Sequence, residues 1–111
     1  MSELVYTVTA TLPDADTAAE WLAWLRGGHV ADVLAGGAAA AAIIALDPPA
    51  LTYEVRYRFP SREAFDRYER EVAPRLRAEG LKRFPPERGI SYRRSVGTVL
   101  EEFQGVGRAE K

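Results

Sequence analysis

The stretch Ala38-Ala39-Ala40-Ala41-Ala42-Ile43-Ile44-Ala45-Leu46 decides the fold, because it reads two ways. Five consecutive alanines carry the highest intrinsic helix propensity. The β-branched pair Ile43-Ile44, the preceding Gly36-Gly37 and the stop Asp47-Pro48-Pro49 point instead to a strand. A strand is expected here. The segment that follows it, Leu51 to Phe59, alternates without a break. Leu51, Tyr53, Val55, Tyr57 and Phe59 share one face, and Thr52, Glu54, Arg56 and Arg58 share the other.

Working outward, Leu4 to Leu12 has the same period. Leu4, Tyr6, Val8, Ala10 and Leu12 oppose Val5, Thr7, Thr9 and Thr11, which predicts a first strand. After the Pro13-Asp14 turn, Thr17 and Glu20 have capping-box spacing, and Ala18, Trp21, Leu22 and Leu25 form a helical stripe. Gly27-Gly28 interrupts it, and His29 to Ala35 reads as a second short helical piece ended by Gly36-Gly37. Ser61 is an expected N-cap for a helix whose stripe is Phe65, Tyr68, Val72 and Leu76. Pro74 breaks or kinks it after Val72, since proline has no N–H for the helical ladder. Arg83 to Pro86 is a loop, and Ile90 to Leu100 is a last strand. The order β-α-β-β-α-β is the split βαβ arrangement. The expected fold class is therefore α+β and ferredoxin-like, with a four-stranded antiparallel sheet and both helices on one face. Residues 1–100 form the single domain and 101–111 a loose tail.

Composition narrows function by exclusion. The chain has 111 residues, enough for one domain. Fifteen basic and sixteen acidic residues nearly cancel, which argues against nucleic acid and an anionic membrane as partners. With no Cys, disulfides, thiol nucleophiles and thiolate metal sites are excluded. No cluster has metal-ligand spacing, and neither a metal nor a cofactor is expected. The apolar stretch from Gly36 to Leu46 is shorter than the roughly 20 residues that span a bilayer. Met1-Ser2-Glu3-Leu4 carries no basic leader or cleavage pattern, which leaves the cytoplasm as the expected location.

If the helices cover the apolar side of the sheet, Thr7, Thr9, Thr11, Glu54, Arg56 and Arg58 lie on the opposite side. Ser91, Arg93 and Ser95 join them by the same alternation. A solvated face satisfies that pattern. The sharper expectation is a homodimer through this open face, leaving a polar cleft in which Arg56 and Arg93 hold an anionic or oxygen-rich small molecule beside Thr7 and Thr9. The sole imidazole, His29, is the candidate catalytic acid/base, with Asp32 spaced to orient it. Trp21 reads as core. Trp24, at the flank of the stripe, is expected to roof a cleft or enter the dimer contact.

The ordered set Trp21-x-x-Trp24, His29, Val33-Leu34, Gly36, Tyr53-x-x-x-Tyr57, Tyr68, Ala73-Pro74-x-Leu76-Arg77, Arg83-Phe84 and Tyr92-Arg93 resembles a small bacterial family, domain of unknown function family 4286. That family is similar to the dimeric α+β barrel group, which includes cofactor-independent monooxygenases, polyketide cyclases and stress-response barrel proteins. The resemblance implies a homodimer and the fold more than any reaction. Monooxygenases of the group often use an Asn with a Trp, and this chain contains no Asn.

Three functions follow in order. The first is binding or cofactor-independent cyclase- or isomerase-type chemistry on an oxygen-rich or anionic small molecule, with His29 as the acid/base. The second is a non-catalytic ligand-binding or structural dimer domain, and the third a cofactor-independent monooxygenase.

Overall fold

A computed structural model describes residues 2–106. Along the chain run β1 (Leu4–Thr11), α1 (Ala15–Trp24), a π-helical turn (Leu25–His29), α2 (Val30–Ala35), β2 (Ala40–Ala45), β3 (Thr52–Phe59), α3 (Arg62–Glu71), α4 (Ala73–Arg83), a short 3-10 turn (Pro86–Arg88) and β4 (Ser91–Thr98). The strands form one antiparallel sheet in the order β2-β3-β1-β4. This is the expected α+β, ferredoxin-like arrangement.

The alanine run is extended from Ala40 onward. Its backbone pairs with β3, Ala40 opposite Arg58 and Ile44 opposite Glu54, and Ala39 N–H donates to the Arg58 carbonyl at 2.7 Å. Pairing with a neighbouring strand outweighs a local helix preference worth a few tenths of a kcal/mol per residue. The two central strands place Leu4 opposite Phe59, Tyr6 opposite Tyr57 and Val8 opposite Val55. These side chains face the helices and meet Trp21, Leu25, Val33, Phe65, Tyr68 and Leu76 in one core. Phe59 has no exposed surface. Its ring lies 5.2 Å from those of both Phe65 and Tyr68.

Two local expectations change. The first helix is capped by Asp14, not by Thr17: the extended Asp14 accepts from Thr17 N–H at 2.7 Å, and Thr17 itself is buried inside the first turn. The Asp14 carboxylate takes the orphan Thr17 N–H of the first turn, so the helix is capped before Thr17 is reached. At the second helix Ser61 caps as expected, accepting from Ala64 N–H at 3.1 Å. Pro74 does more than break that helix. The chain leaves helical geometry at Val72, and Pro74 then occupies the first turn of α4, where its missing N–H costs nothing.

Among the described residues, no helix is long and apolar enough to cross a membrane. Of the expected tail 101–111, residues 101–106 have no secondary structure and 107–111 lie outside the described residues. Phe59→Ala, which empties the centre of the core, is expected to cost about 3–5 kcal/mol. Urea denaturation measures it, and a loss below about 1 kcal/mol would show that the ring is not packed as described.

Candidate functional site

The sheet separates the expected site residues into two groups. His29 and Trp24 lie on the helix side. Thr7, Thr9, Arg56 and Arg93 lie on the open side. Within one subunit these groups do not meet, because period-2 alternation puts Arg56 and Arg93 across the sheet from everything the helices cover. The candidate acid/base and the two candidate anion-holding arginines thus sit on opposite faces of the subunit.

On the helix side, a cavity of about 210 Å³ lies between the sheet and the helices. Tyr6, Val8, Val55 and Tyr57 form its floor, Trp21, Trp24, Leu25 and His29 one wall, and Tyr68, Leu76 and Arg77 another. Leu81, Tyr92 and Arg94 also line it. Two glycines shape it. Gly28 takes φ +155°, a conformation that L side chains rarely adopt, so the chain can leave the π-helical turn and place His29 ahead of α2. Gly80, inside α4, faces the Trp24 indole. A Cβ there would come within 3.1 Å of Trp24 Cη2. The indole fits that space and stacks on the His29 imidazole, with centroids 4.1 Å apart and planes 22° apart. Its other neighbour is Phe84 at 5.4 Å.

The half-buried His29 is held below its usual pKa, first because burial penalises its charge. The Asp32 and Glu79 carboxylates pull weakly the other way. At neutral pH the imidazole is uncharged and can accept a proton. The tyrosines behave oppositely. Burial, with Tyr6 alongside, pushes Tyr68 up to about 12, and burial likewise raises Tyr57 and Tyr92. They keep their protons at neutral pH. Burial works against the Arg77 charge, but the Glu69 carboxylate, 2.6 Å from Nη2, holds the guanidinium charged.

Two buried donors in the cavity wall have no hydrogen-bond partner among the described residues: Trp21 Nε1 and Arg77 Nε. Each residue has a tyrosine oxygen nearby, Tyr92 beside Trp21 and Tyr6 beside Arg77, without a hydrogen bond of full geometry to either nitrogen; the Tyr92 hydroxyl donates its own proton to the Phe84 carbonyl at 3.1 Å. An unmade buried hydrogen bond costs about 1–3 kcal/mol, a cost that falls on two residues of the cavity lining.

The open face has a shallower depression of about 350 Å³ lined by Thr7, Thr9, Arg56, Arg93 and Ser95, among others. Here Arg56 is already paired with Glu54, at 3.0 Å, on its own strand. Among the described residues no carboxylate lies within 4.0 Å of the Arg93 guanidinium.

Sequence reasoning missed Arg77 and Arg94. The signal was present for Arg94, which breaks the apolar parity of Tyr92 and Val96 on the helix side of β4. Nothing local singles out Arg77 from the other charges of its helix.

Fold and cavity define a class, the small ferredoxin-like α+β proteins. The model of the family described as Domain of unknown function (DUF4286) matches residues 3–99, and the chain belongs to that family. No curated protein matches it. Three solved structures are similar to it. A dimeric ferredoxin-like protein from an uncultured marine organism aligns with TM-score 0.72 and 12% identity, over 93% of this chain and 100% of that one. A conserved protein of unknown function from Bacteroides thetaiotaomicron, described as a possible oxidoreductase, aligns with TM-score 0.64 and 12% identity, over 88% and 98%. SnoaB from Streptomyces nogalater, a cofactor-independent oxygenase, aligns with TM-score 0.62 and 13% identity, over 94% and 97%. At such identities the likeness carries the fold.

Two outcomes test the site's geometry. The single imidazole should titrate in the NMR spectrum below its ordinary value of 6.5. Since the unfolded chain binds that proton more tightly, the stability contributed by neutral His29 is present above 6.5 and is lost as pH falls through the folded value. A midpoint at or above 6.5 contradicts the buried stack. Gly80→Ala should leave the circular dichroism spectrum unchanged while altering Trp24 fluorescence and moving the His29 midpoint up toward 6.5, as the displaced indole admits water. An unchanged midpoint contradicts the positioning of His29 by Trp24.

Proposed function

We propose that the protein is a homodimer whose subunits each bind a small one- or two-ring molecule bearing an acceptor oxygen, in the cavity between helices and sheet. The observation that carries this reading is the largely apolar cavity itself, which has the Trp24–His29 stack in its wall and the polar side chains of Arg77, Tyr92 and Arg94 among its lining. Size supports it: a protein cavity of roughly 150 Å³ already accepts benzene, and this one is about 210 Å³. The aromatic floor and the Trp24–His29 stack favour a flat molecule.

The chemistry that suits these groups is proton transfer without a cofactor. Neutral His29 takes a proton from a carbon or hydroxyl made acidic by the ligand's carbonyl. The electron pair moves onto the carbonyl oxygen, whose developing charge the Arg77 guanidinium of the cavity lining stabilises, and return of the proton at another atom completes an isomerisation. Nothing is oxidised in this sequence. The second reading is a non-catalytic binder using the same cavity. The third is an oxygenase, favoured by the similarity to SnoaB. Thr7, Thr9, Arg56 and Arg93 then line the face on which the second subunit docks. That placement is supported by the dimeric state stated for the marine ferredoxin-like protein.

The test uses 2-tetralone, a two-ring ketone with acidic C–H groups, as the probe. It is expected to perturb the His29 NMR resonance saturably and to exchange its acidic protons with D2O faster in the presence of the protein. His29→Ala should keep the fold and lower that acceleration at least about 100-fold. Binding without exchange selects the non-catalytic reading, and oxygen consumption selects the oxygenase. No saturable perturbation by 2-tetralone or by other one- and two-ring ketones and phenols overturns the proposal.

A further inference from the structure

The cavity under the helices has one exposed side. Of the residues that line it, Leu81, Tyr92 and Arg94 are exposed, and the rest are buried or half-buried. Leu81 belongs to α4 and the other two to β4, so the mouth lies between that helix and the edge strand. Arg94 pairs directly with Val8, which packs against the core, and residues directly opposite share a face of the sheet. Arg94 therefore turns to the helix side. Among the described residues, it is the one charged side chain that the four strands place on that side.

The charges around the cavity do not balance. Two guanidiniums line it, Arg77 and Arg94, and no carboxylate does. Arg77 is matched from outside by Glu69, at 2.6 Å. Among the described residues no carboxylate lies within 4.0 Å of the Arg94 guanidinium. With His29 neutral, the lining is left with one positive charge. The two guanidiniums also share a neighbour. Burial is the chief reason that the Tyr68 hydroxyl holds its proton, and the Arg77 and Arg94 charges both pull against it. Both therefore lie within electrostatic reach of that one oxygen in the cavity wall.

We propose that Arg94 anchors a carboxylate at the mouth of the cavity, so that the ligand is a one- or two-ring monocarboxylic acid with its rings on the aromatic floor and its carboxylate between α4 and β4. This rests on the reading that the cavity binds a ring molecule, and it supplies the charged group which that reading leaves open. The guanidinium fork matches a carboxylate with two parallel N–H donors. An unmatched charge at the rim of a low-dielectric cleft also draws anions toward it. Placement suits the ligand: at an exposed mouth the carboxylate keeps part of its water, while the rings lose theirs to the apolar interior. A phosphate monoester carries about 1.5–2 negative charges at neutral pH and exceeds the single charge on offer.

Two probes of nearly the same shape test it: 2-naphthoate, and 2-acetonaphthone, in which a methyl ketone replaces the carboxylate. Their dissociation constants are measured at neutral pH from the His29 NMR resonance, with circular dichroism as the check on folding. The protein is expected to bind 2-naphthoate at least about tenfold more tightly than the ketone, the size of one hydrogen bond to a charged group. Raising salt from about 0.05 M to about 0.5 M should narrow the gap by weakening 2-naphthoate alone. Arg94→Gln should close the gap. Arg94→Lys, which keeps the charge but not the fork, should retain part of it. If the ketone binds and 2-naphthoate binds no more tightly, or if the gap survives Arg94→Gln, the carboxylate anchor is overturned and the ring-binding cavity stands. Should Arg94→Gln fail to fold, a gap that ignores both salt and Arg94→Lys overturns the anchor in its place. Tighter, Arg94-dependent binding of 2-naphthyl phosphate overturns the carboxylate in favour of a phosphate. If neither 2-naphthoate nor the ketone binds, the anchor and the cavity reading fall together.

Discussion

The structure depends on the antiparallel register between β1 and β3. Tyr6 opposite Tyr57 and Val8 opposite Val55 set one face of the sheet, and with Thr7 opposite Arg56 the other face follows without further choice. A slip of one residue would turn the tyrosines to the outside and bring threonines and arginines under the helices. The burial of Leu4, Tyr6, Val55, Tyr57 and Phe59 holds the register in place. Both surfaces on which function has been argued, the aromatic floor of the cavity and the polar open face, are consequences of it.

Given that register, the cavity comes from what the helices fail to fill. α1 and α4 meet the sheet through Trp21, Leu25 and Leu76, but between them Gly80 keeps a side chain out and lets the Trp24 indole lie flat. A glycine inside a helix costs about 1 kcal/mol relative to alanine. At this position the helix gains in return the stack of Trp24 on His29. The same packing desolvates the imidazole and keeps it neutral, so the base and its roof arise from one contact.

Much of the fold was legible in the residues alone. The alternation in Leu4–Leu12 and Leu51–Phe59 marked the central strands and their faces, because a sustained period of two matches the pleat of a half-buried strand and not the turn of a helix. The strand at the alanine run followed from its flanks rather than its interior, and the sheet edge supplied the partner that alanine propensity opposes. Asp14 lay in view as a cap but was overshadowed by the capping-box spacing of Thr17 and Glu20, whose geometry the chain does not use. The separation of His29 from Arg56 and Arg93 within one subunit was legible in principle. Parity already put the two arginines across the sheet from any helix-borne residue, and that consequence concerned three dimensions rather than one stretch of sequence. Trp21 Nε1 and Arg77 Nε were not legible at all. That a donor has no acceptor depends on every neighbour, and no local pattern records it.

The central claim is that the working site lies under the helices and not on the open face, and intermolecular nuclear Overhauser effects with bound 2-tetralone test it most directly. Contacts are predicted from the ligand to the ring protons of Trp24, His29 and Tyr57, with none to the Thr7 and Thr9 methyl groups. Contacts to those threonine methyls, with the aromatic rings silent, would contradict it.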